Sequence, residues 1–174
     1  LKPLDVPLVE IPDKASFTRH QSEMAELDVW IDAILGTGLK SNVKGFFKTV
    51  IEFINDLNKP VFAVDIPSGL NSDTGQVCGA CIRAIATSTF AFAKTGHLIH
   101  PGTQYTGALD IVDIGIPSPI VEEVAPRQRL LTKDLIRSCF PPRLPDAHKG
   151  TTGHLLIVAG SIGKTGAAAM TSIS

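Results

Sequence analysis

Val29-Trp30-Ile31-Asp32-Ala33-Ile34-Leu35-Gly36-Thr37-Gly38 and Pro60-Val61-Phe62-Ala63-Val64-Asp65-Ile66-Pro67-Ser68-Gly69 are built alike: an apolar run, an acidic residue near its end, and a turn carrying glycine. A strand of a parallel sheet reads as a continuous apolar run, because helices cover both faces of such a sheet. Ligands of open parallel sheets bind outside the carboxyl ends of the strands. Asp32 and Asp65 are therefore expected on one rim, beside backbone amides and the hydroxyl of Ser68. That arrangement suits a phosphate-bearing ligand or a cation held by oxygen.

Between the two runs, Gly45 to Leu57 places Phe46, Val50, Ile51, Ile54 and Leu57 at helical spacing. Asn58-Lys59-Pro60 ends that helix, since the residue before proline avoids the helical region. Strand Asp28 to Leu35, helix, and strand Pro60 to Asp65 form a parallel crossover unit. Upstream, Val6 to Glu10 reads as a strand or strand remnant, and Asp13 to Glu26 as a polar loop or helix. Downstream, Asn71-Ser72-Asp73-Thr74-Gly75 is a turn cluster. Ala86 to Ala93 and Ala108 to Ile114 are β-prone, with loops marked by Lys94-Thr95-Gly96 and Pro101-Gly102 between them. Pro117-Ser118-Pro119 closes this region, and Glu122 to Arg129 reads as a linker.

A second unit begins after this linker. Leu131 to Ile136 starts a short helix with Thr132 as N-cap. Phe140-Pro141-Pro142-Arg143 cannot be helical throughout. His154 to Ala159 is another buried-strand run, Gly160 to Gly166 a glycine-rich loop, and Ala167 to Ile173 a helix. The expected class is α/β in two domains, 1–126 and 127–174.

The 174 residues are 44% hydrophobic and 19% charged, an ordinary globular composition. A formal net charge of -1 argues against nucleic acid as partner. No apolar stretch is long enough to span a bilayer, and Leu1 to Glu10 lacks the pattern of a signal peptide. The 3 cysteines fit a reducing compartment. The expected location is the cytoplasm. The sequence starts at Leu1 and stops at Ser174 inside a helical stretch, and a fragment cut at both ends is expected.

Each motif has a chemical and a structural reading. Gly36-Thr37-Gly38 offers amides to phosphate, or makes a tight strand-to-helix turn that Asp32 caps. The Gly-x-Gly-x-x-Gly fingerprint is not met, because Ser41 stands where the third glycine belongs. Asp65 with Ser68 suits general acid–base chemistry or a hard cation, or else an Asx-type turn bond. Cys78-Gly79-Ala80-Cys81 has redox or zinc spacing, but no second pair accompanies it, so incidental loop cysteines are expected. His97 and His100 are expected on a surface loop. Gly160-Ser161-Ile162-Gly163-Lys164-Thr165 misses the P-loop pattern, with Val158 where its first glycine belongs. It still presents amides at a helix N-terminus, an anion site in principle.

Taken together, Asp32-Ala33-Ile34-Leu35-Gly36-Thr37-Gly38-Leu39, Val64-Asp65-Ile66-Pro67-Ser68-Gly69-Leu70-Asn71, Asp73-Thr74-Gly75 and Asp113-Ile114-Gly115-Ile116-Pro117 resemble the NAD(P)H-hydrate epimerase family. Thr89-Phe90, Lys94, Gly96 and Pro101-Gly102 fit the same pattern. His148-Lys149-Gly150, Gly153, Ala159-Gly160-Ser161 and Thr165-Gly166-Ala167 resemble the opening of the nucleotide-dependent NAD(P)H-hydrate dehydratase domain. Both in this order resemble the bifunctional nicotinamide-repair enzymes.

The resemblance implies a Rossmann-like three-layer parallel sheet, incomplete here, over 1–126. It implies that 127–174 begin a ribokinase-like domain. It further implies that Asp32 and Ser68 bind K+, and that Gly36, Thr37, Gly38, Leu39, Lys40, Ser41 and Asn42 contact the hydrated dinucleotide. Asp65 is implied to contact the substrate near the reacting ring and to act catalytically, and Gly166 and Ala167 to bind substrate in the second domain. The implied activity interconverts the R and S forms of hydrated NADH or NADPH. The partner domain then dehydrates the S form at the expense of ADP, with Mg2+. A homo-oligomer is expected.

The family's phosphate loop after its first strand is absent from this sequence, as is the late segment carrying the dehydratase aspartate. The chain as written is expected to lack dehydratase and epimerase activity, which belong to the parent. Two other readings compete: a non-catalytic Rossmann-like module that binds a ligand or protein, and a ribokinase-like small-molecule kinase suggested by the Gly160 loop alone.

Overall fold

The computed structural model describes residues 6–140, 142, 145–148, 150 and 154–173. The chain divides into two compact units, Leu1–Ala125 and Pro126–Ser174. The first holds α1 (Lys14–Ala25), β1 (Trp30–Asp32), α2 (Gly45–Asp56), β2 (Val61–Val64), β3 (Ala86–Phe90), α3 (Thr95–Leu98), α4 (Thr103–Thr106), β4 (Ala108–Val112) and α5 (Ser118–Val124). The second holds α6 (Lys133–Ser138) and α7 (Gly166–Ile173).

The four strands form one sheet in the order β1-β2-β3-β4, every neighbouring pair parallel. The crossover from β1 to β2 runs through α2, whose Ile51 and Ile54 are buried against Val61 and Ala63 of β2. Asn58 adopts a left-handed conformation (φ 50°) after α2, and Lys59-Pro60 then lead into β2. The polar segment before β1 is a helix. Asp13 caps α1 by accepting from the Ser16 amide at 2.7 Å, and the Ser16 hydroxyl oxygen accepts from the Asp13 amide at 3.3 Å. Phe17 of α1 lies edge-on to Phe46 and Phe53 of α2, with ring centroids 5.7 and 5.2 Å apart. Full burial of such a side chain contributes about 1.5–3 kcal/mol.

No helix links β2 to β3. Residues 65–85 instead fold as a compact loop that buries Ile66, Leu70, Cys81 and Ile82. Gly69 sits at φ +99°, where a Cβ would lie 1.8 Å from the Ala80 carbonyl oxygen, so only glycine lets the two limbs of this loop meet.

The sheet shows where apolar runs mislead. Trp30, Asp32, Val61, Ala63, Thr87 and Thr89 face the core. The register row Ile31, Phe62 and Ala86 belongs to the opposite face. Ile31 is 73% and Phe62 42% exposed. Among the described residues this face is open at Ile31 and Phe62, so the three-layer arrangement that the resemblance implies is incomplete here. An apolar run does predict a strand, but it cannot say whether a covering element is present. Val6 to Glu10 is likewise not a strand, and its residues are exposed. Residues 118–124, whose last part has the composition of a linker, form α5.

In the second unit, Thr132 caps α6 by accepting from the Leu135 amide at 3.2 Å, as its sequence suggests. His154 to Ala159 is not a strand, and Leu155, Leu156 and Val158 are more than four-fifths exposed. A strand forms only against a partner, and none is present among the described residues of this unit. Leu1 to Asp5, Pro141, Arg143, Lys149 and Gly153 lie outside the described residues.

Candidate functional site

Asp32 is the last residue of β1 and Asp65 comes directly after the last residue of β2. The strands are parallel neighbours, so both carboxylates stand at the same carboxyl edge. Their surroundings differ.

Asp32 is 2% exposed. It accepts from the Ser68 amide at 2.7 Å, the Ser68 hydroxyl at 2.6 Å and the Ile34 amide at 3.2 Å. Ser68 Oγ in turn accepts from the Leu35 amide at 2.8 Å. Its single hydrogen goes to Asp32, so the Leu35 carbonyl oxygen at 3.2 Å from Oγ meets it without a proton between them. The result is a buried cluster of three oxygens from carboxylate, hydroxyl and carbonyl. Burial pushes the Asp32 carboxyl above its ordinary value, against the hydrogen bonds from Ser68 and Ile34. No cationic side chain pairs with it among the described residues. Asp32 thus combines the capping role, through Ile34, with a tie into the Ser68 turn.

Asp65 does not make an Asx turn of its own. Its backbone is left-handed (φ 67°), and its carboxylate reaches the end of β3. There it accepts from Lys94 Nζ, from Thr89 Oγ1 at 3.0 Å and from the Phe90 amide at 3.2 Å. Lys94 Nζ also donates to Thr89 Oγ1 at 2.7 Å and to the Phe90 carbonyl at 3.2 Å. The pair is partly buried, with the Lys94 and Asp65 side chains 22% and 25% exposed. Burial raises the Asp65 carboxyl, but the bonds from Lys94, Phe90 and Thr89 and the Lys94 charge together hold it below its ordinary value. Asp65 is therefore a carboxylate at neutral pH, with a fixed ammonium beside it.

The Gly36–Asn42 segment is an exposed loop, with only Leu39 half-buried. It is held against the loop after β2: Ser72 Oγ donates to the Thr37 carbonyl and Asn71 Nδ2 to the Leu39 carbonyl, each at 3.4 Å. Asn71 Oδ1 accepts from the Asp73 and Thr74 amides and the Thr74 hydroxyl, which fixes the turn cluster. The structure thus brings the Gly36–Asn42 loop, Asp32, Asp65 and Ser68 to one edge. Gly166 and Ala167 open α7 in the second unit and are exposed. In the Gly160 loop the Ser161 and Lys164 amides bond each other's carbonyls at 3.3 and 2.8 Å, so those two are already engaged.

Cys78 and Cys81 are free thiols, and Cys81 is buried, which pushes its thiol far above the ordinary range. Among the described residues no group of three or more His, Cys, Asp or Glu side chains stands together as a metal site, and no helix is long and apolar enough to cross a membrane. A cleft of about 450 Å³ lies at the ends of β3 and β4, lined by Phe92, Ile111, Asp113, Ile116, Val121 and Glu122 among others. It includes none of the residues above.

The sequence alone assigns no role to three participants. Lys94 and Thr89 match the family pattern without a function, and only the sheet shows that both meet Asp65. His97, expected on the surface, is 2% exposed. A lone histidine in a short polar segment carries no periodic signal of burial, since glycine packing, not an apolar stripe, seats it.

Residues 6–96 match the model of the family described as YjeF-related protein N-terminus. The chain is 46% identical over 140 residues to the bifunctional NAD(P)H-hydrate repair enzyme of Moorella thermoacetica, covering 80% of this chain and 26% of that protein. It is 40% identical over 153 residues to the enzyme of the same name in Thermofilum pendens, covering 88% of this chain and 28% of that protein. With its namesake in Vibrio cholerae it shares 38% over 148 residues, 84% of this chain and 30% of that protein. The chain therefore spans less than a third of the length of these relatives.

Proposed function

The chain belongs to the family of YjeF-related protein N-termini, and from that premise we propose that it supplies the epimerase part of a bifunctional nicotinamide-nucleotide repair enzyme. The substrate is hydrated NADH or NADPH, whose R and S forms differ at a ring carbon bearing both hydroxyl and nitrogen. The full-length protein then dehydrates the S form in its second domain at the expense of ADP, with Mg2+ and with Gly166 and Ala167 at the substrate. The observation that supports this most is the Asp65–Lys94–Thr89 array at the strand edge that also carries the Gly36–Asn42 loop.

In the proposed route the carbon–nitrogen bond opens and closes again on the other face. Asp65 enters as the carboxylate and takes the hydroxyl proton while the bond's electron pair moves to nitrogen, leaving an aldehyde. After rotation the nitrogen re-adds to the opposite carbonyl face, and Asp65 returns the proton to the new alkoxide. Lys94 and Thr89 fix the carboxylate throughout. Gly36, Thr37, Gly38, Leu39, Lys40, Ser41 and Asn42 form the loop that the dinucleotide lies against.

The buried oxygens of Asp32, Ser68 and Leu35 fit a hard monovalent cation such as K+, because the carboxylate is desolvated and has no cationic side chain. A bound cation would supply positive charge at this strand edge, and Asp32 and Ser68 would hold it.

The test supplies the full-length protein with chemically hydrated NADH and follows NADH absorbance with and without ADP. Recovery of both epimers supports the assignment. Recovery of the S form alone overturns the epimerase role.

A further inference from the structure

The buried imidazole of His97 has no part in the reaction just described, yet it is bonded to the backbone of Lys94, one member of the Asp65–Lys94 pair. Its Nδ1 accepts the Lys94 backbone amide at 3.2 Å. A ring nitrogen that accepts carries no proton, so the proton of the neutral ring is on Nε2. Nε2 is buried and has no hydrogen-bond partner among the described residues. Burial and the neighbouring Lys94 charge outweigh the opposing pull of Asp65 and hold the imidazole below its ordinary value.

The segment that carries His97 is itself held tightly. The Gly96 amide donates to the Ser72 carbonyl at 2.6 Å. A Cβ on Gly96 would lie 2.2 Å from the Asn71 carbonyl oxygen, and one on Gly102 would lie 1.8 Å from the Gly96 carbonyl oxygen. The backbone at Gly96, directly before His97, is thus closely packed.

We propose that His97 is a positioning residue for the epimerisation, a buried strut whose Nδ1 accepts the Lys94 amide and so fixes the backbone from which the Lys94 ammonium reaches the Asp65 carboxylate. This rests on the proposed epimerase function, because positioning has meaning only if that pair acts on substrate.

The experiment uses the full-length protein and two variants. His97→Phe keeps the ring volume without acceptor or donor. His97→Gln restores both on a neutral side chain. Ring 15N NMR of the wild type at neutral pH is expected to show Nδ1 unprotonated and Nε2 protonated, with the Lys94 amide protected from exchange. His97→Phe is expected to lose that protection and at least tenfold in kcat for epimerisation, with KM for hydrated NADH unchanged. His97→Gln is expected to recover most of the loss. An Nδ1–H tautomer, a wild-type kcat in His97→Phe, or a loss confined to KM overturns the proposal. If the wild type itself does not epimerise hydrated NADH, the functional reading falls, while the tautomer and amide protection still judge the strut.

Discussion

Asp32 and Asp65 close neighbouring strands of one sheet, and their primary sequence contexts are nearly superimposable. Asp32 is sealed in, bonded only to neutral groups, and destabilised as an ion by its burial. Asp65 is partly open, paired with an ammonium, and stabilised as an ion. The difference lies in the turn at the end of each strand. After β1 the chain turns at once, and the Ser68 loop folds over the carboxylate. After β2 a left-handed residue swings the carboxylate toward β3, where Lys94 meets it. That contrast is the ground on which a cation is proposed at Asp32 and a proton transfer at Asp65.

The sharpest way to break this contrast is to neutralise the open member. Asp65→Asn in the full-length protein is expected to lower kcat for epimerisation by about 10²-fold or more, the usual scale for a general acid–base residue. Epimerisation at the normal rate refutes the proton-shuttle role. Lys94→Met acts on the same group indirectly and is expected to cost about tenfold in kcat. It also removes the bonds and charge that hold Asp65 low. The acid limb of the kcat/KM profile must therefore move to higher pH, and a limb that stays in place shows that Asp65 does not control it.

The closed member is tested through its loop. Gly69→Ala places a Cβ on the Ala80 carbonyl oxygen at a left-handed position. It is expected to destabilise the fold by about 1–3 kcal/mol from backbone strain alone, measured by urea unfolding. A neutral result would mean that the loop over Ser68 is looser than its geometry indicates.

The contrast is only partly legible in the sequence. The strand–helix–strand unit is readable because Phe46, Val50, Ile51 and Ile54 repeat at helical spacing between two apolar runs. The capping of α6 is readable because Thr132 directly precedes its helix. Both are local signals. Which group meets Asp65 is not readable, because Thr89 and Lys94 are 24 and 29 residues away and meet it only through strand pairing. The burial of His97 depends on close glycine packing that no periodicity announces. His154 to Ala159 errs the other way: its apolar run states a preference for burial, and the preference is unfulfilled among the described residues.

The smallest expected effect bears on the ion that Asp32 is proposed to hold, and burial sets its sign. Because folding raises the Asp32 carboxyl above its ordinary 3.8, its contribution favours the fold below that value. The contribution is lost as pH rises through the raised folded value, where the buried ion forms. A cation that binds the ionised group offsets this loss, and at tenfold its dissociation constant it contributes about 1.4 kcal/mol. Added K+ is therefore expected to raise the melting temperature of the full-length protein by a few degrees at neutral pH. The gain should shrink as pH falls and Asp32 protonates, and Asp32→Asn should abolish it. A K+ response that persists in Asp32→Asn, or that grows toward acid, would place the ion elsewhere and leave Asp32 a purely structural partner of Ser68.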